Sequence, residues 1–249
     1  MTKMLIIPDV HLKWWMFDAA DKAMKAHGAS RAVQMGDLVD DWGQEANVQL
    51  YRDTMRRAIR FQREHPTTLW VLGNHDFGYY HPDMGVRETG HSVYAEEDMA
   101  ELIREMENAG IRQRVMHVRD NCVFTHAGLV DDWVTKMQVD AGVENEPITT
   151  ERLRSLVNFA SPRDLWSEDS PIWARPQIKP YRLFGRDEGV LNVVGHTPVI
   201  QPIERNGLLS TDTFSTDGHG NFLGVTRFVV LDTETKEWSL TEEYRDGDE

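Results

Sequence analysis

Five short segments of this chain carry the side-chain types that bind metal ions. Each segment follows an apolar run, and together the segments contain nine such residues: Asp9, His11, Asp37, Asp40, Asn74, His75, Asp76, His126 and His196. Carboxylate, amide and imidazole groups in combination suit Mn²⁺, iron or Zn²⁺. One segment alone is typical of an ordinary turn or a helix cap. Five in succession indicate a site for metal-assisted chemistry.

The apolar runs must position these residues, and they have the length of buried β-strands. We predict strands at 4–10, 31–36, 67–73, 121–128 and 191–194, and helices at 14–27, 45–64 and 95–109. Strands that alternate with helices favour βαβ units and a parallel sheet. In such sheets ligands bind at the carboxyl ends of the strands, so the five segments are expected to meet at one edge.

The second half of the chain has a different pattern. Residues 131–190 contain five prolines and one short predicted helix at 151–159, so we interpret them as a helical and irregular insertion within a single domain of residues 1–249. Short predicted strands then follow at 208–212, 225–231 and 238–243. Closely spaced short strands favour an antiparallel or mixed sheet.

Composition excludes several classes of protein. The only cysteine, Cys122, rules out a disulfide framework and a cysteine-rich zinc site. No apolar run is long enough to span a membrane, and the N-terminal residues lack a secretory signal pattern, so a soluble cytoplasmic protein with no membrane partner is expected. The formal charge is −14, from 41 acidic and 27 basic residues, which disfavours nucleic acid as a partner.

The five segments, in this order, resemble the motifs of the calcineurin-like metallophosphoesterases. The matching motifs are Asp9-Val10-His11, Gly36-Asp37-Leu38-Val39-Asp40, Gly73-Asn74-His75-Asp76, Thr125-His126-Ala127-Gly128 and Gly195-His196-Thr197-Pro198. The resemblance extends from residue 4 to about residue 232. It implies an α/β fold, a four-layer α/β/β/α sandwich with two mixed β-sheets, and a dinuclear metal centre at the edges of the sheets.

The resemblance also assigns roles to individual residues. It implies that Asp37 bridges two divalent cations whose other ligands are Asp9, His11, Asn74, His126 and His196. Mn²⁺ is the favoured metal, with iron, Zn²⁺ and Ni²⁺ as alternatives. A hydroxide held between the two metals would attack phosphorus. His75 would be the general acid, and Asp76 would orient its ring.

Departures from the family pattern bear on the substrate. Many phosphodiesterases and nucleases of the family have a second histidine where this chain has Pro198. The resulting Gly-His-Thr-Pro motif resembles that of bacterial and phage protein phosphatases and of diadenosine tetraphosphatases. That branch usually continues Gly-Asp-x-Val-Asp with Arg-Gly, whereas this chain continues with Asp41-Trp42-Gly43, and the branch usually has glutamate at the position of Asp76. Arg175, in a segment similar to the Trp-x-Arg of that branch, is the candidate for binding the substrate phosphate.

These observations predict a hydrolase that acts on phosphomonoesters, with phosphoserine and phosphothreonine among the candidate substrates. Its expected partner is a small phosphorylated molecule or a phosphoprotein. Hydrolysis of dinucleoside polyphosphates or related nucleotides is the main alternative. A phosphodiesterase or nuclease is disfavoured by Pro198, and a scaffold without catalysis is disfavoured because all seven residues with assigned metal or acid roles are present.

Overall fold

A six-stranded mixed sheet, which we call the first sheet, contains most of the amino-terminal strands. The computed structural model describes residues 3–86 and 95–244. The strands of the first sheet are β1 (Lys3–Ile7), β2 (Arg31–Gln34), β3 (Leu69–Val71), β4 (Gln113–Arg114), β10 (Val229–Asp232) and β11 (Trp238–Leu240). Their order is β11-β10-β1-β2-β3-β4, and β1 to β4 run parallel to one another.

A five-stranded mixed sheet, the second sheet, faces the first. Its strands are β5 (Met116–Arg119), β6 (Cys122–Thr125), β7 (Leu191–Val194), β8 (Ile203–Arg205) and β9 (Leu208–Ser210). Their order is β5-β6-β7-β9-β8, with β6, β7 and β9 parallel. The edge strands β5 and β8 are antiparallel to their neighbours.

Helices cover the outer faces of both sheets. Within the described residues they are α1 (Trp15–His27), α2 (Val48–Glu64), α3 (Asn74–Tyr80), α4 (Glu96–Asn108), α5 (Asp131–Asp140), α6 (Thr150–Asn158) and α7 (Pro162–Leu165), with a short 3₁₀ helix at Pro82–Met84. Helices α1, α2 and α4 pack together beside the first sheet, and α6 packs on α5 and on β5 of the second. None of the helices in these described ranges has the length and apolar character that crossing a bilayer requires.

Alternation along the strands divides the core into layers. In β1, Met4 and Ile6 join a cluster between the sheets that includes Phe124 of β6, whereas Leu5 and Ile7 pack in the cluster that contains the helices. This period-two pattern follows from the opposite directions of successive side chains in a strand. The result is a helix–sheet–sheet–helix arrangement, which confirms the predicted four-layer sandwich with two mixed sheets.

The predicted elements differ from the structure mainly at their ends and at the short strands. The last long predicted strand, 225–231, begins only at Val229. Strands β4, β5 and β8 and helices α3, α5 and α7 have no counterpart among the predictions. Residues 131–190 contain three helices, α5, α6 and α7, where the sequence predicted one short helix.

Candidate metal centre

Two groups of potential metal ligands share the carboxylate of Asp37. One group is Asp9, His11 and Asp37, and the other is Asp37, His126 and His196; within each group, one ligand atom per residue lies within 4.8 Å of the others. Asp37 Oδ2 is 3.7 Å from His11 Nε2 and 3.3 Å from His126 Nε2. The ligands come from loops that follow β1, β2, β6 and β7, so the carboxyl ends of these strands meet as predicted.

The backbone fixes which ring nitrogen of two histidines faces the centre. His126 Nδ1 lies 2.8 Å from the carbonyl oxygen of Met35, and His11 Nδ1 lies 2.7 Å from that of Asp40. Because a carbonyl oxygen only accepts hydrogen bonds, each Nδ1 must donate. Each Nε2 is therefore available as a ligand and points towards Asp37. Such a hydrogen bond from the second nitrogen is the usual means of orienting a metal-binding histidine.

The lone pairs of Asn74, His126 and His196 point towards one another. Its Nε2 is 2.8 Å from Asn74 Oδ1 and 3.1 Å from His196 Nδ1. Oxygen and nitrogen lone pairs at these distances repel unless a proton or a cation lies among them. His196 Nε2 is also buried and has no hydrogen-bond partner among the described residues. This donor set fits a divalent cation.

The carboxylates of the centre are buried without enough positive charge. Burial, and then the charges of Asp212 and Asp37, raise the pKa of Asp9 well above its ordinary value. Burial would also raise the pKa of Asp37, but the imidazoles of His126 and His75 lower it well below the ordinary value. Buried anions require compensating charge. Divalent cations at this position would supply it.

Two glycines allow the ligand loops to approach each other. A Cβ atom on Gly73 would lie 2.1 Å from Asp37 Oδ1, and one on Gly195 would lie 2.0 Å from Asp9 Oδ1. Distances this short are sterically impossible, so any larger residue would displace the carboxylate. The glycines of the motifs therefore keep the ligand carboxylates in position by lacking a side chain.

Three of the proposed ligand residues, and Asp40 beside them, have strained backbone conformations. The φ angles of His11, Asp37, Asp40 and His196 are +42°, +52°, +59° and +63°. Non-glycine residues rarely adopt this left-handed region, and such residues cluster at functional sites. The strain turns the chain sharply after each strand, which directs consecutive polar side chains into the same small volume.

The carboxylate that contacts the His75 ring belongs to Asp40, where the sequence predicted Asp76. His75 Nδ1 lies 3.3 Å from Asp40 Oδ2. The other oxygen of Asp40 accepts hydrogen bonds of 2.7 Å from the hydroxyl groups of Tyr51 and Tyr79. Burial lowers the pKa of His75, but Asp37 and the hydrogen bond with Asp40 outweigh it, so the net pKa is raised. The protonated ring required of a general acid is thereby stabilised.

Asp76 instead joins the second and third motifs through the backbone. Its carboxylate accepts hydrogen bonds from the backbone N–H groups of Asp37, Leu38 and Gly73, at 2.9, 2.9 and 3.1 Å. The side chain of Gln113 donates a further bond of 2.7 Å. Burial and the charge of Asp37 raise the pKa of Asp76 to about 6. Asp76 therefore positions the loop that carries Asp37, and its charge is also among the smaller causes that raise the pKa of His75.

A cleft of about 540 Å³ opens over these residues. It is lined by His75 and Arg175 near the ligands and by Trp42, Glu45 and Pro198 farther out. Arg175 Nη1 donates to Thr197 Oγ1 at 3.2 Å, so the guanidinium lies beside the loop that carries His196. The other arginine that the sequence offers for the substrate phosphate, Arg87, lies outside the described residues.

Sequence reasoning missed three features of this site. Asp40 belonged to a recognised motif but had no assigned role, and its two tyrosine partners come from α2 and α3 without any local signal. Lys13 forms a 3.0 Å ion pair with Asp41, which neutralises one acid of the cleft wall. Trp42 is 70% exposed at the mouth of the cleft. In the sequence, only the departure of Asp41-Trp42-Gly43 from the family pattern indicated that this residue differs from those of its relatives.

Comparison with known families agrees with this geometry. Residues 2–222 match the calcineurin-like phosphoesterase family, so the chain belongs to that family. Its fold, ligand clusters and family together define a metal-dependent phosphoesterase, a hydrolase of phosphoester bonds. No curated protein was found to match the chain.

Proposed function

We propose that this protein is a phosphomonoesterase with a dinuclear metal centre, and that Mn²⁺ is its favoured metal. The observation that carries the proposal is the shared carboxylate of Asp37, which contacts both His11 and His126. Two ligand groups around one carboxylate provide for two cations a short distance apart. The roles of Asp9, Asn74 and His196 as the remaining ligands belong to the same proposal.

The groups around the centre have separate roles in the proposed reaction. Divalent cations bound there supply a water molecule of lowered pKa and neutralise charge on the phosphoryl oxygens. Protonated His75 donates its proton to the leaving oxygen, and Asp40 keeps the ring oriented and charged. Arg175 binds phosphoryl oxygens with its planar guanidinium. The terminal phosphate of a monoester offers it two such oxygens.

A monoester is favoured over a diester for a structural reason. Pro198 lines the cleft where many diesterases of the family have an additional imidazole. Arg175 adds a positive charge beside His196, and that charge favours the dianion of a monoester over the monoanion of a diester. Phosphoserine and phosphothreonine residues remain candidate substrates because the cleft is open at its outer end.

Hydrolysis of a dinucleoside polyphosphate is the second candidate, and Trp42 favours it. Its indole is 70% exposed at the mouth of the cleft. An exposed aromatic ring can stack on a nucleobase, which contributes about 1–3 kcal/mol per base. Substitution of Trp42 by alanine would weaken binding of a nucleotide substrate and leave a small monoester unaffected.

The two candidates are separated by a comparison of three substrates with the Mn²⁺-loaded protein. We expect p-nitrophenyl phosphate to have a higher kcat/KM than bis-p-nitrophenyl phosphate and diadenosine tetraphosphate. A higher value for diadenosine tetraphosphate would favour the nucleotide candidate. A higher value for the diester would contradict the proposed monoesterase.

Arg175 gives a further prediction. Arg175→Gln should raise the KM for p-nitrophenyl phosphate about tenfold or more and reduce the preference for monoester over diester, because a charge-assisted bond is worth about 1.5–3 kcal/mol. Arg163→Gln, an exposed arginine of α7 outside the cleft, is the matched control and should leave both values unchanged. If the Arg175 variant kept the wild-type KM and selectivity, Arg175 would not be a substrate-binding residue.

A further inference from the structure

A second cleft, with a volume of about 590 Å³, shares no lining residue with the cleft over the metal centre. Its lining includes Arg31, the first residue of β2, and Leu69, the first residue of β3. It also includes Arg114 of β4, which pairs with Val71 at the end of β3. We call it the arginine cleft, defined by Arg31, Arg114, Arg119, Arg154, His117 and Phe159.

The arginine cleft is positively charged in a protein whose formal charge is −14. Four arginines line it against one acidic residue, Glu151. Arg31 and Arg114 form no ion pair within residues 3–86 and 95–244, and Arg119 approaches only Asp120, at 3.8 Å. Four guanidinium groups gathered from separate elements are thus left with little compensating charge. An anion would supply the missing compensation.

His117 lies in the lining of the same cleft. Its Nε2 is 2.9 Å from the carbonyl oxygen of Trp70, so Nε2 donates. Burial lowers the pKa of His117, and the charges of Arg114 and Arg154 lower it further. Arg154 Nη2 also donates to the carbonyl oxygen of Val118 at 2.8 Å, which fixes the guanidinium in position.

The same cleft has an apolar side. Phe159 follows α6 and is 77% exposed, an unusual position for a phenylalanine in a protein with a large core. Leu69, Met116 and Val118 also line the cleft. One guanidinium group can bind two oxygens of a phosphate at once. An exposed aromatic ring offers a stacking surface for a planar base. The cleft thus combines features that suit an anion with an aromatic part.

We propose that the arginine cleft binds a nucleoside di- or triphosphate at a site separate from the metal centre. The phosphates contact Arg31, Arg114 and Arg154, and the base stacks on Phe159. A small anion fits better than a long nucleic acid because the strongly acidic remainder of the protein repels a polyanion that extends beyond the cleft.

The test is calorimetric titration of the Mn²⁺-loaded protein with β,γ-methylene-ATP, whose terminal bridge resists hydrolysis. Arg31→Gln/Arg114→Gln is the main variant, because neither side chain has an ion pair within the described residues and folding should be preserved. An unchanged thermal unfolding midpoint checks this. We expect the double variant to bind one equivalent less than the wild type, or to bind that equivalent at least tenfold more weakly. Arg163→Gln is the matched control and should bind as the wild type does.

A second variant tests the base. Phe159→Ala should weaken binding of β,γ-methylene-ATP about tenfold and leave binding of inorganic tripolyphosphate unchanged. Equal stoichiometry and affinity in the wild type and the double arginine variant would overturn the proposal. Binding of hexaglutamate in the cleft, without binding of the nucleotide, would also overturn it and indicate an acidic peptide instead.

Discussion

At the scale of single residues, the contact between His75 and Asp40 determines the expected pH dependence. Protonated His75 is the acid in the proposed reaction, so the rate falls as pH rises through its pKa. The Asp40 carboxylate raises that pKa. Asp40→Asn should therefore move the alkaline limb of the kcat profile to lower pH and lower the maximal rate by about 10²-fold or more.

Asp41→Asn is the matched control for this prediction. The adjacent carboxylate is paired with Lys13 at 3.0 Å, so its loss should leave the alkaline limb in place. The measurement is the pH profile of p-nitrophenyl phosphate hydrolysis for both variants. An alkaline limb that is unmoved in Asp40→Asn would contradict the role given to Asp40.

The sequence predicted the residues of the centre better than their contacts. Ligand types stand out because carboxylates and histidines follow apolar strands. The choice between Asp40 and Asp76 as the partner of His75 depends instead on the left-handed backbone at Asp40 and on three backbone N–H groups that bind Asp76. Neither feature is visible in residue types or spacing.

At the scale of elements, Gly73 shows how closely the loops after β2 and β3 approach each other. Its backbone conformation is open to alanine, because its φ angle is not in the left-handed region. An alanine Cβ would nevertheless lie 2.1 Å from Asp37 Oδ1. Gly73→Ala should therefore displace the Asp37 carboxylate and lower the affinity for Mn²⁺ at least tenfold, as measured by metal content after dialysis.

Gly218→Ala is the corresponding control. A Cβ atom there would meet nothing within 4 Å, and its φ angle is also outside the left-handed region. Gly218 lines the cleft away from the ligands, so metal content is the value compared, and it should match the wild type. Full metal content in the Gly73 variant would mean that the loops can separate without loss of the centre.

The elements themselves could be predicted where burial is continuous. Strands β1, β2, β6 and β7 are apolar runs whose residues are almost all buried, and each was predicted within a few residues. The edge strand β8, Ile203–Arg205, is fully exposed and has no apolar pattern to identify it. Helix α3 begins within the third motif, where turn residues concealed it.

At the scale of the whole molecule, Cys122 reports on the contact between the two sheets. The thiol is buried in the core between them, and burial raises its pKa to about 12. Ellman's reagent at pH 8 should therefore not react with the native protein, whereas it should react with one thiol per chain in denaturant. Rapid reaction of the native protein would contradict the sandwich packing.

The raised pKa of Cys122 also makes the stability of the protein depend on pH. In the unfolded chain the thiol has a pKa of about 8.5. As pH rises from about 8.5 towards about 12, the unfolded state releases this proton and the folded state keeps it, so Cys122 lowers the free energy of unfolding in that range. Below about pH 8.5 it has no such effect. Cys122→Ser provides the comparison for urea unfolding at pH 7 and pH 10.

The overall architecture was accessible from the sequence only in part. Alternating strands and helices predicted a parallel sheet, but the pairing of two sheets was implied by the family resemblance and not by periodicity. The arginine cleft could not be predicted, because its arginines come from three separated parts of the chain: Arg31, the pair Arg114 and Arg119, and Arg154. Only the folded structure brings them together.

The central claim is that phosphoester hydrolysis depends on metal held around Asp37. It is tested most directly by the rate of p-nitrophenyl phosphate hydrolysis before chelation, after removal of metal with EDTA, and after addition of Mn²⁺, for the wild type and Asp37→Asn. We expect the wild type to lose activity on chelation and regain it with Mn²⁺, and the variant to remain at least 10³-fold slower throughout, because its one carboxylate serves both ligand groups. Wild-type activity that persists without metal, or a variant that hydrolyses the substrate at the wild-type rate, would contradict the account.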